Sequence, residues 1–262
     1  MTILVLFAVA LLAGLIDAIA GGGGLLTVPA LALAGFDPLT TLATNKLQSS
    51  FGSGSAALAF ARAGHLDIRK TWPIAVLSGL GALAGALTLT HIPREAATVA
   101  LPFVLVAVAL YFAVSPRIGE ADAHHRMPPR VFLLTVVPLI GFYDGVFGPG
   151  TGSFFMVGFV ELLGFGLLRA AARTKLGNFA SNIAALLTLA ASGHIVWTVG
   201  FAMGVGQFLG ARFGAGLTMR HGAKLVKPVV ITICCVLATK LALAPDHPIG
   251  RWVNHAWTHT SE

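Results

Sequence analysis

The sequence predicts an all-α polytopic membrane protein built from two related halves, and three observations predict it. Hydrophobic residues make up 56% of the 262 and charged residues only 10%, a balance that a soluble domain could not hide, because most of its exterior must face water. The apolar residues gather into runs near the ~20 residues that carry a helix across a bilayer core. Motifs of the first half recur in the second at a nearly constant offset.

Full-length candidate spans lie near 3–20, 40–61, 72–90, 97–115, 131–147, 171–191, 197–217 and 225–244, eight in all. Two shorter apolar pieces, 25–34 and 152–165, each follow a glycine cluster and read as half-helices or re-entrant segments. The one long polar stretch, punctuated by Pro116, Pro128 and Pro129, separates a first membrane repeat (1–115) from a second (131–245), with 116–130 as linker and 246–262 as a polar tail. The first span lacks a basic leader and runs into glycines, so Met1 to Ala20 is expected to stay in the mature chain.

Repetition is visible residue by residue. Gly14-Leu15-Ile16-Asp17 before Gly21–Gly24 matches Gly141-Phe142-Tyr143-Asp144 before Gly148-Pro149-Gly150-Thr151 at an offset of 127. Ala43-Thr44-Asn45-Lys46-Leu47 matches Ala172-Arg173-Thr174-Lys175-Leu176 at 129, and His65 matches His194 at the same offset. Pro102 and Pro228 follow at 126. If each short piece crosses with its neighbours, the loops 62–70, 117–130 and 212–227 face one side and carry ten Lys or Arg, against one in the opposing short loops. The positive-inside rule then favours inverted repeats with both termini outside.

Charge and cysteine usage exclude several functions. The 17 Lys and Arg, against 10 Asp and Glu, fall between apolar runs instead of forming a stripe, which speaks for membrane flanks and against nucleic acid. Cys234 and Cys235 are adjacent inside an apolar run and read as packing, and the tail histidines are too scattered to hold a metal. No cofactor is expected. Neither a Gly-x-Ser-x-Gly elbow nor a His-Glu-x-x-His motif speaks for an intramembrane enzyme.

The chemistry is expected where a carboxylate-bearing helix breaks into glycines, at Asp17 and again at Asp144. Non-helical backbone survives at membrane depth only inside protein or beside a wet cavity, and restarting helices would aim free N–H groups at an anion. Four consecutive glycines cost ~1 kcal/mol each relative to alanine in a helix, so that run reads as a break, whereas Gly81/Gly85 and Gly206/Gly210 read as close helix packing. Candidate anion ligands are Gly22, Gly23, Gly24, Thr44, Asn45, Lys46 and Ser49 in the first half, and Gly150, Thr151, Gly152, Arg173, Thr174, Lys175, Asn178 and Asn182 in the second. The spacings Asn45/Ser49 and Asn178/Asn182 each place two polar groups on one helix face. Two readings of the lysines stay open, neutralising a bound anion or snorkelling to the interface. Asp17 and Asp144 either accept coupling protons or pair with Lys46 and Lys175 to balance the empty cavity. His65 and His194 read as interfacial.

These motifs, from Gly14-Leu-Ile-Asp17 with Ala20–Gly24 and Ala43-Thr-Asn-Lys46 to Gly148-Pro-Gly-Thr-Gly152 and Arg173-Thr-Lys175-Leu-Gly-Asn178, resemble the sulfite exporter TauE/SafE family of membrane transporters over most of the chain. The resemblance implies a duplicated multi-helix fold that carries sulfite, sulfonates or related anions, often outward. The first half has Thr-Asn-Lys where the second has Arg-Thr-Lys, so a shared pocket would be asymmetric. The expected protein is a secondary carrier of a small anion working by alternating access in the inner or plasma membrane, with proton coupling and a homodimer left open. A passive anion channel is the alternative.

Overall fold

The computed structural model describes residues 2–88, 124–191 and 193–222, together with 228 and 232. Candidate spans 97–115 and 225–244, most of the linker, the tail and both cysteines lie outside the described residues, apart from those two isolated positions. All regular structure among the described residues is helical: α1 (Thr2–Ala20), α2 (Gly24–Leu33), α3 (Pro38–Arg62), α4 (Ile68–Thr88), α5 (Pro129–Val146), α6 (Thr151–Leu162), α7 (Leu167–Ala190) and α8 (Trp197–His221). The expected half-helices are α2 and α6, and the final turn of α6, Gly158–Leu162, widens into a π-helix. The helix α5 takes in the last two residues assigned to the linker.

Local sequence explains these limits. The Asp37 carboxylate caps α3 by accepting from the amides of Leu39 and Thr40 at 3.0 and 3.1 Å. Gly35, Gly64, Gly164 and Gly193, each at positive φ, turn the chain between helices. The half-helix α6 is anchored by Phe155, Met156 and Phe159, fully buried among Phe132 and Leu167. Phe132 and Phe159 lie 5.2 Å apart between ring centres.

Three helices, α1, α4 and α5, are long and apolar enough to cross a membrane by composition. The helices α3, α7 and α8 are longer still, at 25, 24 and 25 residues, but dilute their apolar content with polar and small residues. On α4 the packed face is Ser78, Gly81, Ala82, Gly85 and Ala86, while Trp72, Val76, Leu80, Leu83 and Leu87 are exposed at helical spacing. Large apolar groups outside and small or polar ones inside are the arrangement suited to lipid, where burying leucine gains little and close backbone approach gains more.

The principal contacts join one half to the other. α1 packs along α8, α4 along α5, and α3 lies against both α7 and α8, while α4 also reaches α7. Both long seams are made by glycine. A methyl group at Gly206 would lie 2.6 Å from the Phe7 carbonyl oxygen, and one at Gly210, Gly214 or Gly14 would overlap the facing backbone. Gly81, Gly85, Gly141 and Gly145 do the same between α4 and α5, so Gly81/Gly85 and Gly206/Gly210 are packing glycines, as the sequence suggests. Gly210→Ala is accordingly expected to destabilise by about 1–3 kcal/mol, read as a lower melting temperature in detergent. At Gly216 an added methyl meets nothing within 4 Å, and Gly216→Ala should leave the melting temperature unchanged or slightly raised.

Candidate functional site

The chain leaves α1 at Ala20 and α5 at Val146, and at both points it turns through a glycine that must hold positive φ: Gly21 at 83° and Gly148 at 87°. Gly150 does so again at 88° before α6 begins. The two breaks abut. A methyl on Gly21 would fall 2.6 Å from the Gly152 Cα and 2.8 Å from the Ser153 amide nitrogen, so the glycines are required for contact as well as for turning.

A helix that stops in the interior leaves carbonyl groups unsatisfied and presents the negative end of its dipole. Here each such end is met by a lysine from the other half. Lys175 on α7 donates to the Asp17 backbone carbonyl and, at 3.0 Å, to Asp17 Oδ2. Lys46 on α3 donates to the Asp144 backbone carbonyl and, at 2.8 Å, to Asp144 Oδ1. The lysines are 1% and 0% exposed, so neither snorkels to an interface. Each aspartate also holds the restarting chain: Asp17 Oδ1 accepts from the Gly23 amide at 3.1 Å, and Asp144 Oδ1 lies 2.9 Å from the Thr151 hydroxyl.

Between the breaks lies a cavity of about 20 Å³ lined by Asp17, Gly21, Gly24, Asn45, Ser49, Gly148, Gly150, Thr151, Gly152, Asn178 and Asn182. That volume suffices for a water molecule, which needs ~10–15 Å³ on this measure, but not for a four-atom oxyanion. Its wall carries both hydrogen-bond donors and acceptors. The Gly24 amide, which opens α2, has no acceptor among the described residues. The Asn178 carboxamide, 5% exposed, has its acceptor Oδ1 unpartnered, while its NH₂ group lies beside Gly152. Asn45 Oδ1 accepts from the Thr27 hydroxyl at 2.6 Å and from Gln48 Nε2 at 2.7 Å, which leaves its NH₂ group near Gly24.

Of the residues singled out in the sequence, Gly24, Asn45, Ser49, Gly150, Thr151, Gly152, Asn178, Asn182 and Asp17 meet around the cavity. The others stand elsewhere. Lys46, Lys175 and Asp144 are committed to the ion pairs behind the wall. Gly22 and Gly23 support the turn into α2, their carbonyls accepting from Leu25 and Leu26 at 3.1 and 3.0 Å. The Thr44 hydroxyl accepts from the Val196 amide at 3.1 Å and so fixes the entry to α8. Arg173 turns away, its guanidinium 4.7 Å above the Phe165 ring and donating to the Arg169 carbonyl. Thr174 is buried, with its hydroxyl unpartnered, outside the cavity lining. The departure between Thr-Asn-Lys and Arg-Thr-Lys thus puts an asparagine on the wall from the first half alone, at that position.

Four contributors were not singled out. Gly21 and Gly148 line the cavity, and their match at offset 127 was the available signal. Gln48 and Thr27 hold Asn45. Gln48 belongs to the polar run after Lys46, whereas Thr27 is an isolated hydroxyl in an apolar piece and gives no sequence signal beyond its polarity.

The sequence profile described as "Sulfite exporter TauE/SafE" matches residues 6–241. The chain belongs to this family. It is 52% identical over 250 residues to the probable membrane transporter protein ORF9 of Sinorhizobium sp., covering 95% of this chain and 96% of that one. It is 44% identical to the probable membrane transporter protein YfcA of Escherichia coli (strain K12), covering 90% and 88%. To a probable membrane transporter protein of Haemophilus influenzae it is 43% identical, covering 90% and 93%. No solved structure matches. As a member of the TauE/SafE family the chain is a membrane transporter, and its relatives carry transporter names rather than enzyme names.

The crossed pairs make a distinctive prediction. Lys175→Ala strands the Asp17 carboxylate in the interior and should cost about 3–5 kcal/mol. Adding Asp17→Ala should recover part of that loss, so the double variant purifies with a higher melting temperature than the single one.

Proposed function

We propose that this TauE/SafE protein is a secondary carrier, working outward, for a small oxyanion such as sulfite or an organosulfonate. The single observation that carries the reading is the small polar cavity, with amide and carboxamide N–H groups on its wall, where the two glycine breaks meet. Hydrogen-bond donors fixed in advance around a small recessed space suit an anion, since they lose no orientation energy when it arrives. Interrupted helices at corresponding places in two halves, meeting around a polar space, are the arrangement by which secondary transporters hold a substrate near the bilayer midplane.

The cavity is smaller than the proposed cargo, so binding requires the breaks to part. That supports alternating access over a standing pore. On this reading an inverted duplication would supply the motion, which the matching contacts support: α1 packs on α8 as α5 packs on α4, and Lys175 meets Asp17 as Lys46 meets Asp144, so exchanging the halves exchanges equivalent contacts. Two such arrangements of similar energy, facing opposite sides, would give a carrier its outward and inward states. The protein would then act from the cell's inner or plasma membrane, with the broken elements Gly21–Gly24 and Gly148–Gly152 as its moving parts.

Reconstituted vesicles test this. The full chain should give saturable sulfite flux without unitary conductance steps in a planar bilayer. The paired change Asn45→Ala with Asn178→Ala, which removes two donors from the wall, should lower flux at limiting sulfite by roughly tenfold or more. Flux that does not saturate, or that the double change leaves intact, would contradict the reading.

A further inference from the structure

Resting on the anion-carrier reading, we infer that this cavity accepts monoanions and rejects dianions, and that Asp17 sets the limit. The inference comes from where the charges are. Four charged side chains meet at the junction among the described residues, Asp17, Asp144, Lys46 and Lys175, and they cancel in crossed pairs; Tyr143, whose hydroxyl donates to the Pro149 carbonyl at 2.7 Å, is neutral there. Both ammonium groups are spent on a carboxylate and a backbone carbonyl, and neither lysine reaches the cavity wall. The rest of the wall is glycine backbone, amide and hydroxyl. An arriving anion is therefore met by dipoles and by no uncommitted cation.

Dipoles favour an ion in proportion to its charge, whereas the cost of taking it from water grows with the square of that charge. A dianion consequently pays roughly four times the dehydration cost of a monoanion of equal size for twice the dipolar gain. The pairs are also unequal in a way that adds to this. The Asp17 side chain is 10% exposed and lines the cavity, while that of Asp144 is 3% exposed and does not. The one charged group on the wall is thus negative, and it repels a second negative charge at close range. The Asp17 carboxylate and the unpartnered Asn178 Oδ1 are acceptors, and an oxyanion that keeps one hydrogen can satisfy either of them. Hydrogen sulfite fits on both counts, and monoanionic sulfonates, with one charge and no hydrogen to give, fit on charge. Sulfate, with two charges and no hydrogen to give, does not.

The full chain in lipid vesicles provides the test, with methanesulfonate and sulfate as competitors of sulfite flux. Methanesulfonate should compete, and sulfate should do so at least about tenfold less well. Stepping the pH upward at fixed total sulfite should lower flux in step with the hydrogen sulfite fraction. Asp17→Asn removes the wall charge and leaves Lys175 uncompensated, so it should raise sulfate competition relative to methanesulfonate. Sulfate competing as well as methanesulfonate against the unaltered chain, or flux that follows the dianion as pH rises, would overturn the inference while leaving the carrier intact. These two readouts need no variant, so an Asp17→Asn protein that failed to fold would not rescue it. Absence of flux for every sulfur oxyanion would overturn the carrier reading and this inference with it.

Discussion

A lysine from each half seals the broken end of a helix in the other, and most of the structure follows from that exchange. Breaking α1 and α5 inside the protein exposes carbonyl groups and a negative dipole end, with an aspartate already adding charge at each place. An ammonium group is the small, multiply donating cation that can answer all three at once. Because Lys46 and Lys175 come from α3 and α7, the partner is always in the opposite half, and the contact cannot form until both halves are in place. Charge balance at the breaks is therefore reached only once both halves are assembled.

Once the breaks are sealed, the glycines decide how closely they meet. Gly21 against Gly152 leaves no room for a side chain on either, and the flanking seams, α1 with α8 and α4 with α5, are glycine-lined for the same reason. Close backbone contact draws the amide of α2 and the carboxamides of α3 and α7 around one small space. The resulting wall offers hydrogen bonds and no uncommitted cation, its one carboxylate being paired from behind by Lys175. That is the setting in which a weakly charged anion can be held and still released, since an uncommitted lysine at the same depth would bind it too tightly to let go.

Much of this was legible in the sequence, because the strongest constraints in a membrane act on short, readable patterns. The six long described helices and the two half-helices fall where apolar runs and glycine clusters place them, and Asp17, Asp144, Lys46 and Lys175 announce themselves as charges inside apolar spans. The pairing of those charges was one of two open readings. Its crossed sense was not readable, because a repeat offset says which residues are equivalent and nothing about which half each one faces. For the same reason Lys46 and Lys175 looked like anion ligands: their charge was evident and their commitment to a helix end was not. Arg173 and Thr44 were drawn in by sitting two positions before lysines, although residues two apart on a helix point to nearly opposite sides, about 160° apart, and so meet different surroundings. Thr27 and Gln48 act through Asn45, a contact between α2 and α3 that no local pattern encodes.

Selenite, the heavier analogue of sulfite, offers the most direct measurement of the central claim, because selenium can be located in a crystal by its anomalous scattering. The account predicts one dominant selenium peak between the two glycine breaks, within hydrogen-bond distance of the Gly24 amide and the Asn45 and Asn178 side chains, with both lysine–aspartate pairs still closed or shifted only as the breaks part. A peak bound directly to the Lys46 or Lys175 ammonium, with its aspartate displaced, or a peak away from the breaks altogether, would contradict it.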